Sequence, residues 1–176
     1  IIAAKVIRMS VAQAEEFYGP VKEVFIKKLK DRVCAKLNDA LAKEFEFTIP
    51  DEAKKDFCDR INLLNAEHEF NKIITFMTGV DPATISSPAD KQKPGNEKCL
   101  ALVYQGKDAV SKIRNILGTT DPSKAAPATI RKEFGQNIMV NTAHASDSVE
   151  SAAREIRIIR IEENDFKKII EDFYDK

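Results

Sequence analysis

One polar cluster, Ser146-Asp147-Ser148-Val149-Glu150, fixes where a helix must begin. Asp147 can cap the unpaired N–H groups of a first turn, and Glu150, three residues on, completes a capping-box pattern. Just before it stands His144, one of two histidines in the chain, closing the apolar run Ile138 to Ala143. A helix N-terminus favours anions, because the dipole and the unpaired N–H groups point at them. By spacing alone, the plainer reading is a histidine packed at a strand end.

The 176 residues are enough for one domain with a real core. Lysine plus arginine equals aspartate plus glutamate, so no global basic field argues for nucleic acid. No apolar run approaches a membrane span, and no signal peptide is visible. Cys34, Cys58 and Cys99 are odd in number and far apart. They read as reduced cytosolic thiols, with disulfide or metal use disfavoured.

Ile1 to Met9 reads as a strand rich in β-branched residues, and Ser10-x-x-Gln13 as the capping box of a short helix through Phe17. Ile26, Leu29, Val33, Leu37 and Leu41 recur at helical spacing. Phe45 to Ile49 break that pattern, and Pro50-Asp51-Glu52 starts a second helix. Along it Phe57, Ile61, Leu64 and His68 form one stripe, continued by Leu63, Phe70, Ile74 and Met77. The pair reads as a helical hairpin with a solvated lysine face and a structural His68. Gly79 to Lys98 reads as a surface loop, Cys99 to Tyr104 as a buried strand, and Lys107 to Leu117 as a helix ended by Gly118. Beyond Arg157-Ile158-Ile159-Arg160 a further helix is expected through Phe166, Ile169, Ile170 and Phe173.

Asn141-x-x-His144-Ala145-Ser146-Asp147-Ser148-Val149-Glu150-Ser151-Ala152-x-x-Glu155-Ile156 resembles the signature of nucleoside diphosphate kinases. Upstream, Gly118-Thr119-Thr120-Asp121-Pro122, then Pro127-Ala128-Thr129-Ile130-Arg131 and Phe134, match the same family in order and spacing. The resemblance covers Cys99 to about Arg160 well and Ile1 to Tyr18 more loosely. It implies an α+β fold: a ferredoxin-like antiparallel sheet with helices packed on it, in a single domain over 1–176. Against compact members, the helical hairpin at about 27–68 and the loop at 79–98 would be insertions.

The resemblance also implies chemistry. His144 matches the nucleophile that carries the phosphate between nucleotides in a ping-pong cycle, and a neutral imidazole is competent for that. Glu155 matches the carboxylate that orients its ring, supported by Ser146. Arg114 and Arg131 match two phosphate-gripping arginines, Thr120 a hydroxyl donor to phosphate, Asn141 a ribose contact and Ile138 a sugar or base contact. Tyr18 matches a tyrosine at the nucleotide cleft; Phe25 or Phe70 would supply a stacking ring and Ile73 an aliphatic contact. Magnesium would arrive on the nucleotide phosphates, without a protein cage. Partners would be nucleoside tri- and diphosphates, with a homo-oligomer in the cytoplasm and neither membrane nor specific nucleic acid.

Two departures stand out. The family's Pro-Gly-Thr-Ile-Arg-Gly-Asp-Phe reads Pro127-Ala128-Thr129-Ile130-Arg131-Lys132-Glu133-Phe134, so two glycines are lost. If either position needs φ > 0, its side chain costs about 1–2 kcal/mol. The family's Lys-Pro-Asp motif, on a first strand and helix, has no counterpart; Lys93-Pro94-Gly95 is the nearest string. The expectation is an N-terminally truncated sequence, or one that never had the motif. Two other classes therefore stand beside phosphotransfer: a nucleotide-binding module without turnover, and a partner-binding protein acting through the hairpin. An exposed apolar stripe on the hairpin would favour the latter.

Overall fold

The computed structural model describes residues 1–161 and Tyr174, so the helix expected through Phe166 to Phe173 lies outside the described residues. The architecture is α+β, an antiparallel sheet with helices. The chain divides into two compact units, Ile1–Ile7 with Cys99–Lys176, and Arg8–Lys98.

In the first unit, β1 (Ala3–Ile7) pairs antiparallel with β2 (Cys99–Val103), from Ala3 opposite Val103 to Ile7 opposite Cys99. Helices α3 (Ala109–Leu117), α4 (Ile130–Phe134) and α5 (Val149–Ile159) follow in the same unit. Ala3, Leu117, Ala125, Ile158 and Ile161 are buried there. Lys5 Nζ donates to the Arg160 carbonyl at 2.8 Å, which ties the end of α5 to β1.

The second unit is a long helical hairpin. Its first helix, labelled αA (Val11–Glu44), starts at the predicted cap: Ser10 Oγ accepts from Gln13 N, and the Gln13 side chain accepts from Ser10 N, both at 3.1 Å. The helix does not stop at Phe17. It runs on through Gly19 and Pro20, correcting the expectation of a short helix. Proline has no N–H to donate four residues back, at about 3 kcal/mol in a helix interior, yet its φ is helical. Packing of a long helix against a partner outweighs that local cost. The partner, αB (Asp51–Thr78), ends at Gly79, whose φ of 68° makes a left-handed cap.

The stripe that αB buries is Cys58, Asn62, Ala66, Phe70 and Ile74, one residue every turn. The larger residues Phe57 (45 %), Ile61 (42 %) and Leu64 (67 % exposed) face outward, correcting the expectation that they lie along the apolar contact. Asn62 is accommodated because its Nδ2 donates to the Ile26 carbonyl at 2.8 Å. Lys30–Asp59 at 2.7 Å and Lys22–Glu67 flank the seam. Cys34 and Cys58 form a disulfide across it, with Cα atoms 5.1 Å apart. That corrects the expectation of reduced thiols: an odd count left room for one pair, and helical packing brings distant cysteines together.

The segment 79–98 is less open than a surface loop. It folds through short 3-10 turns at Pro82–Thr84 and Asp90–Gln92 and returns to the start of αA. There Ser10 bridges Pro94, and Gly95 N donates to the Met9 carbonyl at 3.1 Å. A Cβ on Gly95 would lie 2.5 Å from the Thr78 carbonyl oxygen, so only glycine fits. Among the described residues no helix is long and apolar enough to cross a membrane.

Candidate active site

His144 sits on the loop between α4 and α5, not at a strand end: residues 138–140 and 142 are bends, and none of 138–143 is strand. Its side chain is well exposed, and its Nε2 lies 3.1 Å from Glu155 Oε2. Glu155 is buried on α5. Its Oε2 also accepts from Ser146 Oγ at 2.6 Å, and its Oε1 accepts from Arg154 at 3.3 Å. A carboxylate only accepts hydrogen bonds, so the Nε2 contact places the proton on Nε2. Lone-pair chemistry on this ring then belongs to Nδ1.

The helix that presents Glu155 is capped by Ser148, not Asp147: Ser148 Oγ accepts from Ser151 N at 3.0 Å. Ser146, Asp147 and Ser148 are all good cap types, and Ser148, in extended geometry, holds the position. That register carries Glu155 beneath the preceding loop.

Burial pushes the Glu155 carboxyl up, but hydrogen bonds from His144 and Ser146, with the charges of His144 and Arg154, outweigh it. The group is held below its ordinary value of 4.5. A carboxyl depressed by folding stabilises above its unfolded pKa, and that contribution is lost as pH falls through the lowered value. Resistance to urea is therefore expected to hold from neutrality down to about 4.5 and to decline below it, as far as this group is concerned. Glu155→Gln should flatten part of that decline. Identical acid slopes for the variant and the parent would show that Glu155 gains nothing from its partners.

Two arginines flank the histidine loop. Arg114, on α3, donates from NH1 to the Ala145 carbonyl at 3.4 Å. Arg131, on α4, donates from NH1 to the Gly118 carbonyl at 2.9 Å and from NH2 to the Ala143 carbonyl at 2.6 Å. Burial, with the nearby charge of Arg114, lowers the pKa of Arg131. A Cβ on Gly118 (φ 82°) would lie 2.6 Å from Thr129 Oγ1, so glycine is needed where α3 gives way to this loop.

The remaining predicted contacts are distributed. Thr120 is exposed in the turn after Gly118. Asn141 Nδ2 donates to the Ile138 carbonyl at 2.7 Å, closing the turn that displays an exposed Ile138. Tyr18 and Ile73 belong to the second unit, on αA and αB; Tyr18 is buried with its ring 4.9 Å from that of Phe17. Phe25 is half-buried on αA. Phe70 is buried with Lys22 over its ring. Among the described residues no three His, Cys, Asp or Glu side chains cluster as metal ligands.

Sequence reasoning did not find Arg154 or Thr142. Arg154 was legible only as a charge adjacent to Glu155. Thr142 takes φ 80°, an outlier for a β-branched residue, two positions before His144. Nothing in its residue type announces that.

Residues 92–165 match the family model for nucleoside diphosphate kinase. Over that stretch the chain is similar to the nucleoside diphosphate kinase family. A nucleoside diphosphate kinase of Bdellovibrio bacteriovorus is 40% identical over 97 residues, 53% of this chain and 57% of that protein. One of Ehrlichia chaffeensis is 54% identical over 58 residues, 33% of this chain and 41% of that protein. The chain thus spans about half the length of the curated relatives it matches. Among solved structures it is similar to an NDP kinase from Pyrobaculum aerophilum, at 25% identity and a TM-score of 0.55, covering 90% of this chain and 78% of that one. The Aquifex aeolicus nucleoside diphosphate kinase gives 26% identity and a TM-score of 0.50 over 90% of this chain and 72% of that one.

Where the nucleoside diphosphate kinase pattern has glycine, Ala128 has φ 64° and Lys132 lies within α4. Only the first departure therefore strains the backbone. Ala128→Gly is expected to stabilise by about 0.5–1 kcal/mol, the relief of a left-handed alanine less the added chain entropy. The check is the urea midpoint at unchanged m-value; a lower midpoint would show that Ala128 is not strained.

Proposed function

We propose that this chain carries the phosphotransfer site of a nucleoside diphosphate kinase. His144 Nδ1 attacks the γ-phosphorus of a nucleoside triphosphate. A phosphorus–nitrogen bond forms, the β–γ bridging bond breaks, and the nucleoside diphosphate leaves with the bridging oxygen. The ring gains positive charge as the bond forms, with its proton kept on Nε2. The buried carboxylate of Glu155 meets that charge, and Ser146 fixes its direction. An acceptor diphosphate then attacks the phosphorus, the phosphorus–nitrogen bond breaks, and neutral His144 returns. Positioning and charge stabilisation do most of the work in such a transfer. Arg114, Arg131 and Thr120 would hold the phosphates, and Asn141 and Ile138 the sugar or base. Magnesium, brought by the nucleotide, would neutralise phosphate charge.

The observation that supports this reading best is the pair His144–Glu155, 3.1 Å apart with the carboxylate buried and the imidazole exposed. The test is incubation with γ-labelled ATP and magnesium. Acid-labile, base-stable labelling of the protein is expected, discharged by added nucleoside diphosphate. Nucleotide binding without any labelling would instead make the chain a binding module without turnover. A cytoplasmic location belongs to the same reading.

The outward stripe of Phe57, Ile61 and Leu64 supports a second reading, in which the hairpin is a partner surface that also sustains a homo-oligomer. Leu64→Glu should then lower the oligomeric mass by light scattering without unfolding the hairpin.

A further inference from the structure

Phosphate grip does not account for how Arg131 is held. Its NH1 and NH2 reach carbonyls on two separate segments, Gly118 after α3 and Ala143 before His144, and its Nε is buried with no acceptor. The Ala143 carbonyl belongs to the peptide that joins directly to His144. At 2.6 Å its bond from Arg131 is at the short, charge-assisted end of the range. One residue earlier, Thr142 sits in left-handed backbone at φ 80°. A β-branched residue stays there only where its surroundings hold it.

We propose that Arg131 is a positioning residue for His144, a two-point latch that ties the loop entering the histidine to the end of α3. Its planar guanidinium is suited to this, since two nitrogens at fixed separation span two carbonyls. An ammonium offers its donors from one nitrogen and cannot reproduce the span. The catalytic importance of the latch rests on the phosphotransfer reading; its structural part does not.

The test uses the nucleotide-free protein labelled with ¹⁵N at histidine, so that no phosphate contact is read. One imidazole set for His144 is expected in the parent. Arg131→Lys, which keeps the charge, should split or broaden that set as Arg131→Ala does. In turnover both should lower kcat by about 10- to 100-fold, the scale of a small misplacement of a reacting group, with KM within about threefold. A single unshifted His144 set in Arg131→Lys, with the loss confined to KM, would overturn the proposal in favour of phosphate grip alone. If Arg131→Lys fails to unfold cooperatively, Arg131 is a general fold determinant and the proposal also fails. Absence of labelling in the parent, with the His144 set still split in Arg131→Lys, would sink phosphotransfer while leaving the latch standing.

Discussion

Replacing His144 by alanine is expected to abolish acid-labile phosphorylation, a loss of at least about 10³-fold on the scale of removing a covalent nucleophile. The chain has two histidines, and the other, His68, is on αB in the second unit. Phosphoramidates survive base and break in acid, so the chemistry of the label itself reports a histidine. The substitution should leave folding nearly intact, because the His144 side chain is exposed while the buried Glu155 keeps its bonds from Ser146 and Arg154. Cooperative unfolding measured beside the labelling separates loss of the nucleophile from loss of the fold. Persistent base-stable label in a folded His144→Ala protein would move the phosphate to another residue and end the assignment.

The second large effect is expected at Arg114. Its contact to the Ala145 carbonyl is long, at 3.4 Å, and the residue is exposed. Its guanidinium is thus much less committed to backbone than that of Arg131. Arg114→Ala should cost about 2–4 kcal/mol of transition-state stabilisation, the range for losing one preorganised donor to developing charge. Lysine should rescue in part, by charge without the fork. Single-turnover phosphorylation of His144 is the measurement. A rate within threefold of the parent would show that Arg114 does not touch the transferring phosphate.

The site and the helical hairpin were legible to different depths. Ser10 and Gln13 announce their capping box by type and spacing alone. The His144–Glu155 contact is not readable that way, because the loop between them decides it; the family resemblance supplied it. For Arg131 the resemblance implied a phosphate contact, and nothing in the sequence pointed to its bonds to the Gly118 and Ala143 carbonyls, since backbone acceptors leave no mark in residue types. The helix from Ser10 runs far past Phe17, through Pro20, because local propensity is weaker than packing over a long helix. On αB, Cys58, Asn62 and Ala66 form the buried seam despite their modest hydropathy, while bulkier neighbours face out. Periodicity finds a helix more readily than it finds which side of it meets a partner.

The closure of residues 8–98 onto their own ends bears on the order in which the chain folds. β1 and β2 are adjacent in the sheet, yet Ile7 must find Cys99 across the whole second unit. For a disordered connection the search entropy grows as (3/2)RT ln n. Once Gly95 is joined to Met9 and Ser10 to Pro94, the connection shrinks to a few residues. The entropy of bringing the strands together then falls by roughly 2–3 kcal/mol. The hairpin, rich in local contacts, is the faster unit to form. Folding is thus expected to run from the middle of the chain outward, with strand pairing, and everything built after β2, waiting on helices that precede it.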